Sequence, residues 1–200
     1  MPNYAEIYDD IIQRHENYNR AENSPGYGNC VQASHELSLL EGNALDVGCG
    51  VGFVVEYLGA SPFRFQTWGV DASAVAVERA RLRVARGHGL PAERIQQLQG
   101  QRLPFEDASF SLVTCFDVLE HLDEADLDAA LAEMFRVLRP GGVWFCSVSC
   151  RLAGAEDLHG DNLHRTVRGT DWWLARAQPD RAVYDASRAQ LTLWKHLGRR

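Results

Sequence analysis

The run Asp46-Val47-Gly48-Cys49-Gly50-Val51-Gly52 sets three glycines at alternate positions directly after a short apolar stretch. Glycines there let the backbone turn tightly and let a ligand approach with no Cβ in its way. A helix starting just beyond them offers unpaired N–H groups. A dinucleotide site wants G-x-G-x-x-G, which seats a pyrophosphate on that helix end. Here the third glycine comes one residue early and an acid, Asp46, precedes the loop, which suits a cationic ligand better than a phosphate. Asp71, in Gly69-Val70-Asp71-Ala72-Ser73, follows Gly48 by 23 residues. An acid so placed, at the tip of a second strand, accepts both hydroxyls of a ribose. The plainer alternative is a turn that merely needs glycine, with a turn aspartate near a helix capped by Ser73.

Two more stretches concentrate reactive groups. Glu120-His121 follows a fourth apolar run, at 110–115, and histidine, with a pKa near neutral, is the natural base for a hydroxyl losing its proton; a scaffold role is the competing reading. Residues 151–173 hold His159, His164, Arg165 and Arg168 among the acids Asp157 and Asp161. These groups suit contact with a substrate and its deprotonation. Otherwise the stretch is a solvated loop capped by Thr170 or Asp171, with Trp172 and Trp173 packing the next helix and one of them in the core. Tyr4 and Tyr8 stand at i, i+4, the spacing of a packing face, whereas Tyr18 and Tyr27 are left open as parts of a lid.

Positioning such groups needs a framework of alternating strands and helices. The first 41 residues read as polar and helical, broken by the turn Asn23-Ser24-Pro25-Gly26. Strands are expected at 44–47, 67–70, 94–98 and 110–115, with helices at 51–58, 73–85 and 127–138, the second capped by Ser73. Arg139-Pro140-Gly141-Gly142 stops the third helix before a β-rich run at 143–148. Alternation of this kind gives an α/β fold, a mostly parallel sheet with helices on both faces. Its ligand crevice lies at the carboxyl ends of the strands.

Composition agrees with an ordinary globular protein. Two hundred residues, 46% hydrophobic and 24% charged, exclude disorder and fibrous repeats. No apolar run approaches the roughly 20 residues that span a bilayer, and the acidic N-terminal stretch lacks the basic start of a signal peptide, so a cytoplasmic address is expected. The net charge is −7, divided between an acidic body (11 basic and 21 acidic groups in 1–150) and a basic tail (9 and 6). An acidic body is a poor partner for nucleic acid. Five cysteines without a C-x-x-C pair indicate reduced thiols, and the histidines lack the close spacing of a structural metal site, so no metal is expected.

Asp46-Val-Gly-Cys-Gly-Val-Gly52, Gly69-Val-Asp71, Leu103-Pro-Phe105, Asp117-Val-Leu-Glu-His-Leu122 and Arg139-Pro-Gly-Gly142 occur in this order and spacing. In them the chain resembles the class I, Rossmann-like S-adenosylmethionine-dependent methyltransferases that act on small molecules, over about residues 43–150. The resemblance implies a doubly wound sheet of seven strands, the last antiparallel, with 182–186 and 190–196 as a closing hairpin. It implies one methyltransferase domain over 1–200: a helical lid at 1–42, a cofactor-binding core at 43–150, and a substrate loop with the hairpin at 151–200. Gly48, Cys49, Gly50 and Gly52 would then line the methionine and ribose of S-adenosylmethionine, with Asp46 near the sulfonium or amino group. Asp71 would hold the ribose hydroxyls and Ala72 would pack on the adenine. Gln99, with Gly100 after it, would stand where relatives carry an acid for the adenine amino group, a role its carbonyl can fill. Cys115 and Phe116 would flank the methionine portion, or serve only as strand-end core.

The expected reaction moves a methyl group to a small-molecule acceptor and releases S-adenosylhomocysteine. His121 and His164 are the candidate bases; His159, Arg165 and Arg168 are the candidate acceptor contacts. Loop composition favours an oxygen of a sugar or glycan intermediate. Two other classes are weighed: a non-catalytic S-adenosylmethionine-binding subunit supporting a partner enzyme, and a nicotinamide oxidoreductase, against which the glycine spacing counts. The acceptor atom and the oligomeric state are left open.

Overall fold

The structure, a computed structural model, describes residues 3–14, 20–87 and 89–198. Tyr18 lies outside them. The chain divides into two compact units, residues 1–100 and 101–200.

In the first unit, helix α1 (Tyr4–Arg14) buries Ile7, Ile11 and Ile12 along one face. Ser24 caps α2 (Pro25–Gln32), its Oγ accepting from the Tyr27 amide, and Pro25 opens the first turn, where a missing N–H costs nothing. A short α3 (Ser34–Ser38) leads into β1 (Glu41–Val47). Then come α4 (Phe53–Gly59), β2 (Arg64–Asp71), α5 (Ala74–Gly87) and β3 (Ile95–Gln97). The strands run parallel in the order β3-β2-β1, with Asp46 opposite Gly69 and Asp71 opposite Gln97. Parallel registry brings the ends of β1 and β2 to the same edge, so the glycine loop and Asp71 meet there.

Helix α5 packs Val77, Ala80 and Val84 with Cys49, Val55 and Ile95. Gly52, at φ +89°, is the N-cap of α4, and a Cβ on it would stand 3.0 Å from the Ala80 Cβ. Helix α1 is tied to the start of α5 by Asp9, whose Oδ1 accepts from the Ser73 hydroxyl at 2.6 Å and the Val75 amide at 3.0 Å. Ser73 in turn caps α5, its Oγ accepting from the Ala76 amide. Tyr27 packs edge-on against Phe53 and Tyr57, while Tyr4 and Tyr8 are half-buried on α1.

The second unit holds β4 (Phe110–Phe116), α6 (Glu124–Val137), β5 (Leu138–Ser149), α7 (Thr170–Ala177), β6 (Arg181–Asp185) and β7 (Gln190–His196). Its strand order is β4-β5-β7-β6, with β7 antiparallel to both neighbours. Every residue of β4 is buried, and Phe145 of β5 stacks on Trp194 of β7 at 3.8 Å. Of Trp172 and Trp173 on α7, it is Trp173 that is buried in the core.

One boundary differs from the sequence expectation. Arg139-Pro140-Gly141-Gly142 does not separate α6 from a later strand; it lies inside β5, which begins at Leu138. The pairing with β4 jumps from Leu138 opposite Phe110 to Val143 opposite Leu112. Such an irregularity accommodates a proline that cannot donate to the ladder. Gly141, at φ +76°, turns its amide to the Leu197 carbonyl at 2.7 Å.

Candidate functional site

The glycine loop is built from backbone bonds and one carboxylate. The amides of Gly48 and Cys49 both donate to the Val70 carbonyl, at 2.8 and 3.0 Å, so the end of β2 fixes the start of the loop. Asp71 fixes its middle: one carboxylate oxygen accepts from the Gly50 amide at 2.8 Å and the other from the Ser73 amide at 2.9 Å. Burial pushes the Asp71 carboxyl up, against the pull of those two amides. An ionised carboxylate has about four acceptor positions, so two are left for a ligand.

Gly48, Gly50 and Gly52 all take positive φ, at +73°, +52° and +89°. Their surroundings differ. The Cβ of a residue at Gly50 would meet nothing within 4 Å, whereas one at Gly52 would press on Ala80. Gly52 is therefore required for packing α4 against α5, and Gly50 leaves an open cradle beside Asp71. Asp46, at the end of β1 just before the loop, is buried.

Ala72, Gln99 and Gly100 of the expected cofactor set lie in the same unit. Ala72 is half-buried, and its carbonyl accepts from the Gln97 side chain at 3.0 Å. Gln99 and Gly100 are exposed. The side chain held at the end of β2 is Gln97. Cys49 is buried in the core of this unit, which pushes its thiol up.

In the second unit Cys115 is fully buried, opposite Cys146 in the β4–β5 ladder. Phe116 is buried edge-on against Phe145. Immediately beyond, Asp117 takes φ +52°, a left-handed conformation that non-glycine residues rarely adopt. Its carboxylate accepts from the Ser147 hydroxyl at 2.6 Å and the Gln190 amide at 2.9 and 3.1 Å. Burial nevertheless raises it above the ordinary aspartate range.

Glu120 has no exposed surface. Its Oε1 accepts from the Ser149 amide at 2.8 Å, while its Oε2 has no hydrogen-bond partner. Burial pushes this carboxyl well up, and the Asp117 charge adds to the effect.

His121 and His164 are 43 residues apart in sequence and 4.7 Å apart between ring centroids, set edge to face. His121 Nδ1 lies 3.0 Å from the Leu163 carbonyl, and His164 Nδ1 lies 2.5 Å from the Arg151 carbonyl. A carbonyl oxygen only accepts, so each Nδ1 carries the proton and each Nε2 the lone pair. Burial, with His164 beside it, lowers the His121 pKa to about 4, so this ring is neutral at physiological pH.

The other loop residues have different partners. Arg165 pairs with the buried Asp157 at 2.7 Å, and Asp157 also accepts from the amides of His159 and Asp161. Arg165 therefore fastens the loop itself. Arg168 pairs with Glu124 at 2.7 Å, and His159 is exposed. Sequence spacing anticipated the histidines singly. It did not reveal their pairing with Glu120, or the roles of Ser147 and Gln190, because those residues come from separate elements.

A family model described as a methyltransferase domain matches residues 44–142. A probable S-adenosylmethionine-dependent methyltransferase of Mycolicibacterium smegmatis is 38% identical over 112 residues, 55% of this chain and 39% of the relative. A ubiquinone biosynthesis O-methyltransferase of Xanthomonas oryzae pv. oryzae is 32% identical over 127 residues, 61% of this chain and 49% of the relative. The chain thus spans two fifths to one half of the length of these relatives. Among solved structures, an S-adenosylmethionine-dependent methyltransferase from Clostridium acetobutylicum superposes with a TM-score of 0.68 over 98% of each chain, at 18% identity. That likeness shows the fold: Rossmann-like, a mostly parallel seven-stranded sheet with its last strand antiparallel. Among the described residues no helix is long and apolar enough to cross a membrane. With the glycine loop, the second-strand acid and the LPF, VLEHL and LRPGG segments all in place, residues 44–142 of the chain belong to the class I S-adenosylmethionine-dependent methyltransferases.

Proposed function

We propose that the chain transfers the methyl group of S-adenosylmethionine to an oxygen of a small-molecule acceptor, with a sugar or glycan intermediate the favoured class. The observation that supports this reading best is the open cradle at Gly50 beside the Asp71 carboxylate. Asp46, Gly48, Gly50, Asp71 and Ala72 would hold the cofactor, with Gln99 and Gly100 at the adenine. The cofactor, when bound, supplies an electrophilic methyl on a sulfonium centre. Asp71 keeps acceptor capacity for two ribose hydroxyls beyond the two amides it already binds. Gly52 keeps α4 and α5 close enough to hold the loop in shape.

In this reading a histidine takes the acceptor's proton. His164 carries its lone pair on Nε2 and suits the role of base. His121, its pKa lowered to about 4, is a poor base and orients the neighbouring ring. A positioned base contributes roughly 10²–10⁴-fold, and alignment of the reacting groups contributes about 7–11 kcal/mol. The relatives are named as enzymes, so no observation favours a purely supporting subunit.

The test is a metabolite extract incubated with isotope-labelled S-adenosylmethionine and the protein. Label is expected in one small molecule, attached through oxygen, and absent with Gly50→Val. Label appearing only in protein or nucleic acid would overturn the acceptor class.

A further inference from the structure

Glu120, His121 and His164 each offer a ligand atom, and these atoms all lie within 4.8 Å of one another. Three features make this more than a chance cluster. Glu120 is fully buried, and one of its carboxylate oxygens has no hydrogen-bond partner, a costly state for an ionisable group unless something occupies it. Both histidines give Nδ1–H to a backbone carbonyl, of Leu163 and of Arg151. That is the outer-shell arrangement by which metal-binding imidazoles are oriented and their Nε2 made basic. Finally, the elements carrying the three residues are themselves fastened. The Thr166 amide donates to the Glu120 carbonyl at 2.9 Å and its hydroxyl to the Leu122 carbonyl at 2.7 Å.

We propose that Glu120, His121 and His164 form a binding site for a divalent first-row transition metal ion, whose remaining coordination positions take oxygen donors of the methyl acceptor. Two imidazoles and one carboxylate suit manganese, iron(II), cobalt or zinc better than magnesium or calcium, which take oxygen ligands. Three protein ligands leave positions open, as in catalytic rather than structural sites. An acceptor with two neighbouring oxygens, such as a vicinal diol or an α-hydroxy acid, would fill two of them. This inference rests on the methyltransferase reading for the identity of the oxygen donor, though not for metal binding itself. With the ion bound, the lone pairs on Nε2 are committed to it, and the ion takes the place of a histidine base. It acts as a Lewis acid: the bound hydroxyl's O–H bond breaks, its proton passes to solvent water, and the electron pair stays on oxygen. No change of oxidation state is involved.

Cobalt(II) is the probe, added to chelator-treated full-length protein and followed by calorimetry and by visible absorption. The expected result is one ion per chain, with binding weakened at least about 10–100-fold by Glu120→Gln and by His164→Ala, and unchanged by His35→Ala at an exposed position of helix α3. Glu120→Gln keeps an oxygen for the Ser149 amide, so its melting temperature in chelator should stay near that of the parent. Should either variant fail to fold, zinc titration of the unsubstituted chain decides: ring resonances of two histidines, 121 and 164, must shift together. Absence of binding, binding indifferent to both substitutions, or shifts at other histidines overturns the site. S-adenosylhomocysteine affinity, measured on the same chelator-treated sample, separates the outcomes. If it is retained while cobalt fails to bind, the metal site is wrong and the methyltransferase reading stands.

Discussion

Replacing Gly50 or Gly52 by alanine separates a glycine kept for a ligand from one kept for the fold. Both residues take positive φ, which costs an alanine about 1–2 kcal/mol. At Gly50 that is the whole cost to the empty protein, because the new methyl meets nothing within 4 Å. At Gly52 the methyl also stands 3.0 Å from the Ala80 Cβ and 3.2 Å from its Cα, backbone that cannot rotate aside. Overpacking of this kind adds about 1–3 kcal/mol. With roughly 2–4 °C of melting temperature per kcal/mol in a chain of this size, Gly50→Ala should lower the melting temperature by about 2–8 °C and Gly52→Ala by about twice as much. Affinity should rank the other way. Gly50→Ala, correctly folded, should lose at least about tenfold in S-adenosylhomocysteine affinity, because its methyl enters the cradle. Differential scanning fluorimetry and calorimetry measure the two quantities on the same samples. A Gly50→Ala protein that binds the nucleoside like its parent would show that the open space is not the ligand's, and the reasoning from the cradle fails.

Two further outcomes follow from single contacts. Asp9→Ala removes a charged acceptor from the Ser73 hydroxyl and the Val75 amide; it should cost about 1.5–3 kcal/mol in thermal unfolding, and an unchanged melting curve would mean that α1 is not held by that carboxylate. The loop at 151–168 should loosen in acid. Burial pushes the Asp157 carboxyl up, but the amides of His159 and Asp161 and the Arg165 guanidinium together hold it below the ordinary aspartate range. A depressed folded pKa means stability that is present above the unfolded value and lost as pH falls through the folded one. Hydrogen exchange at the His159 and Asp161 amides should therefore accelerate beyond the intrinsic rate below the usual aspartate range, and Asp157→Asn should remove that dependence.

Much of this was legible in the sequence because it is local. The end of β1, the glycine loop and Asp71 follow from residue type and spacing, since parallel strands with short connections leave few ways to arrange them. Ser73 announces its helix by cap chemistry. The less legible features depend on tertiary partners. Pro140 and the two glycines after it read as a stop, yet β5 absorbs them through a register jump that only the β4 and Leu197 partners reveal. The bond from Gln97 to the Ala72 carbonyl depends on the register of the three-residue strand β3, where Gln97 stands opposite Asp71. The pairing of His121 with His164 crosses 43 residues of chain, and histidines so far apart carry no spacing signal. Arg165, read from its charge as an acceptor contact, finds its counter-ion in the loop itself.

The most direct test of the central claim is a calorimetric titration of the unsubstituted protein with S-adenosylhomocysteine, repeated with Asp71→Ala. The account predicts one site per chain. Binding should weaken by on the order of 1.5–3 kcal/mol, or about 10–150-fold, for each ribose hydrogen bond lost with the Asp71 carboxylate. Circular dichroism on the same samples must show that the variant is folded, because Asp71 also holds the Gly50 and Ser73 amides. A folded Asp71→Ala protein with undiminished affinity, or a parent protein that gives no binding heat at any temperature tried, would contradict the assignment of this loop as the cofactor site.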